Sequence, residues 1–549
     1  MSSTRDSFQL EAKIRTKWVN QMTTYASLAY TNLHNHKDDQ MKTKLPYLAL
    51  AFSLLAACGD ETGTPSNASC GPNDLRRLDK HIKGPHTLCG SVRVTNGWAA
   101  LDDVVLTIRP GSVLRFESNA GLIPAHQLTL LAQGTEDQPI VFEGVDGGSW
   151  YGIDFRGGTG SKLEHVTIQD VTDGTALSGP TALIKDLTIN NSKIGLNFDS
   201  FEVGSKNLNM SNSVGPIAYL NTPEAVTNFP AGGELDAENA YIDLDFDDVG
   251  TAITFPKTSA PFRTSGLGNT KPATVIFEAG ATLEFTAQGL SLGGEDKAVV
   301  LKAMGSAEDP VTFRTAEDYL GVWIDANSTV ELDFTTFDKI LPISYAPVTV
   351  RNVQMTNCTD CGAIHGHFVD GSTALISAGG IGLSPDALVT LPAGSVIGGV
   401  IEVAGQELSK SGVIRKNAEE IRFLQDVYNT TDITLRIEDE TVLDFGVTNA
   451  LFLGVDFPID FQANNVTFTG QGWNGLRLRN AVAGSFIRNS TIEKSSNWAL
   501  VVDGSIEVTG NTISGRDFCI DTYETTPPDY AATNTLNCER GAVNLLPPN

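Results

Sequence analysis

The chain has 549 residues, with 38 basic against 65 acidic side chains and a formal charge of −27. So acidic a balance argues against a nucleic-acid binder or a protein that docks on an anionic membrane surface, since both need basic patches. A hydrophobic content of 41 % is that of a folded chain, and 53 Gly against 6 Met speaks against a helical bundle.

Residues 1–40 are polar and lack an apolar period, so they are expected to be an unfolded upstream extension, with Met41 as the alternative start. Met41-Lys42-Thr43-Lys44 is a short positive segment, and residues 45–57 form an apolar run. That run is too short to span a bilayer and suits the core of a signal peptide, which is expected over 41–57. It ends in Leu55-Ala56-Ala57-Cys58-Gly59, which resembles the lipobox of bacterial lipoproteins. The resemblance implies cleavage before Cys58, a lipid such as palmitate on that Cys, and attachment to the membrane through it. Gly59 stands where the inner-membrane retention signal has Asp, which by the same resemblance favours the outer membrane. Residues 58–90 are expected to be a lipidated tether followed by an N-terminal cap.

Of the seven Cys, the six that remain form three local pairs: Cys70 and Cys89, Cys358 and Cys361, Cys519 and Cys538. Local pairs in an exported chain predict disulfides. The first and third fall where the two ends of the fold are expected.

The body is repetitive. Val166-Thr167-Ile168 is followed by Leu187-Thr188-Ile189 and then Leu208-Asn209-Met210, at a spacing of about 21 residues. Thr491-Ile492 and Thr512-Ile513 repeat the pattern. Each copy alternates apolar and polar residues, a strand signal, and ends in Asn, Ser, Asp or Gly, which form turns. A unit this short cannot bury its apolar face alone, whereas stacked copies bury it continuously. The predicted fold is therefore all-β: a right-handed parallel β-helix over 91–515 with a C-terminal cap over 516–549. Asn residues at the turns are expected to hydrogen-bond along the stack.

A longer repeat lies over the short one. Residues 110–116, 134–142, 150–155 and 163–168 read PGxxLxF, GTxxxPIxF, WxGIxF and LxxVxI, and the first two recur near 279–285 and 305–313. Here the chain resembles the exported β-helical lipoproteins of the pectin-lyase-like superfamily. That resemblance implies the fold and an envelope location. For activity it implies either a polysaccharide lyase or hydrolase or a surface protein without catalysis.

Four groups are candidates for chemistry. Cys358 and Cys361 with His365 and His367 make a chemically adequate zinc set, although a disulfide between the two Cys is the competing assignment. Asp243, Asp245, Asp247 and Asp248 are a candidate Ca²⁺ or catalytic carboxylate group, with alternation placing the first three on one strand face. The competing assignment is a solvated face of an acidic protein. Trp150, Tyr319 and Trp473 recur at one place in each long repeat, either as packing residues or as sugar-stacking platforms. Arg477 and Arg479 share one strand face and are candidate ligand contacts.

Polysaccharide hydrolases of this fold carry NxD, DD, GHG and RxK. The chain has Asn197-Phe198-Asp199 and Asp247-Asp248, but His365-Gly366-His367 and no RxK in order, so no catalytic residue is carried over. Segments 217–272 and 405–435 interrupt the repeat and are expected to be long turns beside the rod. The expectation is an anchored, non-catalytic surface protein that binds a glycan or another protein and has no resident cofactor. The alternative is a polysaccharide lyase or glycosidase.

Overall fold

In the computed structural model the described residues are 70–547, apart from 72–73, 79–81, 96–100, 237–239 and 316–320. The segments expected to be an upstream extension, a signal peptide and a tether up to residue 69 lie outside them, as do Cys58 and Tyr319.

The described chain winds into a parallel β-solenoid of about 19 turns, 57 % strand and 4 % helix. At ~4.8 Å per rung this is a stack roughly 90 Å long. Every ladder between the described strands is parallel. The antiparallel bridge Thr135–Gln138 merely closes a tight turn. The short repeat read from the sequence is the winding period. Leu187 and Ile189 lie in register with Leu208 and Met210, and Thr491 and Ile492 with Thr512 and Ile513.

Alternation explains the core. In Leu128–Gln133 the residues Leu128, Leu130 and Ala132 are buried while Thr129 and Leu131 face outward, and the same pattern repeats up the stack. Parallel strands need a covered face, and here each wall of the coil covers the other. Large side chains stack at the one-rung spacing. Phe255 lies on Phe277 at 4.4 Å and Phe313 on Phe337 at 5.2 Å, with ring planes nearly parallel. Each such pair adds about 1 kcal/mol beyond its burial.

The corners need left-handed backbone, which Asn and Asp tolerate best among residues with a side chain. Asp170, Asn191 and Asn212 have φ of 65°, 56° and 54° on successive turns. Asn191 Nδ2 donates to Asp170 Oδ1 at 2.9 Å, and Asn207 Nδ2 to Asp186 Oδ1 at 2.7 Å, one turn apart in each case. These are the side-chain ladders expected from the sequence.

Disulfides join Cys70 to Cys89, Cys358 to Cys361 and Cys519 to Cys538. Solenoid strands continue into both expected caps. Leu75–Leu78 pairs with Ile82–Val94, and Phe518–Thr522 with Gly541–Leu545. The interrupting segments also differ from expectation. Within 217–272, the strands Ala218–Leu220, Ile242–Leu244 and Phe262–Gly268 occupy consecutive rungs. Within 405–435, Ile421–Phe423 does the same above Ile401–Val403. Turn length varies here, but the winding does not stop. The short helices α1 (Pro223–Thr227) and α2 (Pro385–Thr390) fill wide corners, capped by the side chains of Thr222 and Ser384.

Candidate functional site

Outward residues on successive rungs form columns along the stack. One column, fixed by the register, runs Ser291, Trp323, Ile343, Ala363, Gly382 and Glu402. Val322 and Ile324 point inward, so Trp323 must point out, and it is 38 % exposed. Its indole lies flat against the sheet. A Cβ on Gly321 would stand only 2.8 Å from the ring, so a side chain there would displace the indole. Above Trp323 the column steps down to Ala363 and Gly382. With Ile343 between Trp323 and Ala363, this floor is about 14 Å long, three rungs at ~4.8 Å.

Beside that floor Tyr345, 52 % exposed, stacks on His365 with ring centroids 4.7 Å apart and 14° between planes. Burial holds the His365 imidazole below its ordinary pKa, so the ring that supports Tyr345 is neutral at neutral pH. At the far end the floor meets Glu402 and Arg422, 3.7 Å apart, with Arg422 also held by Glu420 at 2.6 Å. An exposed Trp and an exposed Tyr on neighbouring rungs, with charged hydrogen-bonding groups further along the stack, are suited to ring-shaped polar ligands with an apolar side.

The candidate zinc set is not assembled, and the disulfide expected from the local Cys pair forms instead. Cys358 and Cys361 share a disulfide, so neither offers a thiolate. His365 is engaged with Tyr345. His367 is lowered in pKa by burial and by Lys410, against the pull of Asp386. The bonded pair sits at a register shift between Asp360 and Ala363, where it shapes the strand beside the aromatic floor.

The acidic run does not share one face either. The strand covers only Ile242–Leu244, and the chain turns directly after it. Asp243 is half-buried, between Tyr219 and Arg263 on the adjacent rungs. Burial raises its pKa, Arg263 opposes this and Asp245 adds to it. Burial also raises the Tyr219 hydroxyl, helped by Tyr241, Asp243 and Asp245. Asp245 and Asp247 are exposed. Asp248 belongs to the next side of the coil, bridged to Gly268. Burial pushes its pKa up, but hydrogen bonds from Thr270 and from Gly250 N at 2.9 Å outweigh this and lower it. Among the described residues, one group of three metal-ligating side chains has its donor atoms within 4.8 Å of one another: Cys70, Asp74 and Cys89. Its sulfurs are in a disulfide. The structure does, however, bring the NxD segment to the acidic strand. Asn197 pairs with Tyr219, and Asn221 Nδ2 donates to Asn197 Oδ1 at 3.0 Å and Asp199 Oδ1 at 2.9 Å.

Trp150 and Trp473 are fully buried and offer no platform. Trp150 stacks on Phe116 at 3.9 Å and donates Nε1–H to the Gln169 carbonyl at 2.8 Å. Trp473 stacks on Phe445 at 4.7 Å and donates to the Glu493 carbonyl at 2.8 Å. They are corner packing residues. The exposed aromatic that the repeats obscured is Trp323. Its signal was the alternation Val322-Trp323-Ile324 itself.

Arg477 and Arg479 do share a face of strand Gly475–Arg488, with Leu476 and Leu478 inside. Tyr523 comes back over them. The Arg479 guanidinium carbon lies 4.5 Å from its ring centroid, and Arg477 Nη2 is 3.5 Å from its hydroxyl.

Comparison with known proteins gives no match: no family model, no curated protein and no solved structure matches this chain.

Proposed function

We propose that the protein is a lipid-anchored β-helix of the bacterial cell envelope, of the pectin-lyase-like type, that binds a glycan strand without cutting it. The observation that carries this reading is the outward platform of Trp323 and Tyr345, the latter backed by neutral His365. Sugar rings present C–H faces to aromatic side chains and hydroxyls to charged groups. The floor from Trp323 to Gly382, with Glu402 and Arg422 at its end, supplies both along the axis of the stack. The anchor rests on the order of basic segment, apolar run and lipobox ending at Cys58. The mass of the peptide carrying Cys58 from the mature protein reads it out.

The test is calorimetric titration of the purified protein with a panel of neutral and acidic polysaccharides. One of them is expected to bind the native protein, and W323A to bind it about tenfold or more weakly, the loss of one stacked aromatic. Equal affinity of W323A and the native chain for every polymer refutes the platform.

A second reading, a polysaccharide lyase or glycosidase, has its own support. Asp243, with its raised pKa, lies near Tyr219, Asp245 and the Asn197–Asp199 segment on adjacent rungs. A carboxyl whose pKa is raised by burial, set among polar groups, is suited to general-acid work. Release of reducing ends from a polymer, lost in D243N, selects this reading over the first. Repeating the assay with Ca²⁺ and then with chelator tests a metal requirement.

A further inference from the structure

We propose that Arg477 and Arg479 form a second binding site, distinct from the Trp323 platform, for a sugar bearing a singly charged oxyanion, a carboxylate or a sulfate ester. In this acidic chain several outward arginines are taken by carboxylates. Arg115 reaches Glu143 at 2.8 Å, Arg263 and Arg314 both hold Glu284, and Arg488 holds Glu507. Arg477 and Arg479 make no ion pair among the described residues. The Nε atoms of both are shielded from solvent and have no hydrogen-bond partner. A guanidinium without a carboxylate partner is costly in such a setting, and the Nη donors, which are not among the shielded atoms, let one oxyanion accept from both arginines.

The surroundings define the ligand further. Below Arg477 the same outward column holds Phe452 and Tyr428, and Trp498 packs edge-on to Phe452 at 5.8 Å. Above it stand Val501 and Asp521, both buried. The column is thus covered at its C-terminal end and open at Tyr428. A ring enters over the aromatic side chains and its charged group ends at the arginines. Tyr523 holds both guanidiniums in place before a ligand arrives. The nearby acids have other neighbours. Asp521 accepts from Asn544 Nδ2 at 2.7 Å, and Glu524 faces Asp503. Their negative field disfavours a doubly charged phosphate and so favours a monoanion.

Three polymers with one backbone test this by calorimetry on the full chain: dextran, carboxymethyl-dextran and dextran sulfate. The net charge of −27 provides no general attraction for a polyanion, so binding must be local. At least one charged polymer is expected to bind and dextran to bind much more weakly. R477Q and R479Q should each lose about tenfold or more in affinity, the scale of one charge-assisted hydrogen bond. R516Q, an exposed arginine elsewhere, should leave it unchanged. Which charged polymer binds identifies the carboxylate or the sulfate as the recognised group. Equal binding of dextran, native affinity in both R477Q and R479Q, or an equal loss in R516Q overturns the proposal. Inorganic sulfate competing as well as the sulfated polymer overturns the requirement for a ring. Unchanged circular dichroism of R477Q and R479Q shows that a lost affinity is not a lost fold.

Discussion

Asp243 shows what a rung does to a single side chain. Neighbouring turns half-bury it, and burial outweighs the attraction of Arg263, so its pKa rises. A carboxyl with a higher pKa in the fold than in the unfolded chain favours folding while protonated. That contribution is complete below the ordinary carboxylate pKa and is lost as the pH rises through the raised value. D243N should therefore be more stable than the native chain at about pH 7, with the gap closing toward about pH 4. Urea unfolding at both pH values checks it, and a gap independent of pH contradicts the assignment. Residue type alone did not decide such roles. Trp150 and Trp473 precede their strands at corners and turn inward, where a backbone carbonyl takes each indole N–H. Trp323 lies within a strand between two inward residues and has nowhere to go but out.

At the scale of elements, the terminal disulfides act on the strands most exposed to fraying. Cys519 lies on strand Phe518–Thr522 and Cys538 on strand Thr535–Cys538, with a sequence separation of 19. Closing a loop of that length removes about 3 kcal/mol of unfolded-chain entropy, against about 2 kcal/mol for the short loop at Cys358–Cys361. The double variant C519S/C538S should exchange amide hydrogens faster in Thr535–Cys538 and Gly541–Leu545, with Val299–Met304 unaffected. Hydrogen-exchange mass spectrometry reads this. Protection unchanged in the last two strands would mean that the disulfide does not hold them. Strand existence was legible from alternation. The standing of 217–272 was not, because turns of unequal length and the capped helix α1 hide the rungs from a search for a fixed period.

The whole molecule is a stack in which each turn touches its neighbours, so stability is a sum of local terms rather than one global quantity. Trp150 and Trp473 report on regions far apart in that stack, both from fully buried positions. Urea unfolding followed by fluorescence in W473F and in W150F is expected to give different midpoints for the two regions. Coincident midpoints would show a single cooperative unit. For the same reason, two binding sites on different columns can be altered one at a time.

The sequence alone determined the all-β class, the winding period, the turn-forming residues after each strand and the three Cys pairs. These are local signals: alternation, turn chemistry and proximity along the chain. Only the tertiary structure decided which outward residues become neighbours, because side chains about 20 to 30 residues apart meet only once the coils stack. That register placed Trp323 before Ile343 and Ala363, set Tyr345 on His365, separated Asp248 from Asp243, and brought Tyr523 over Arg477 and Arg479.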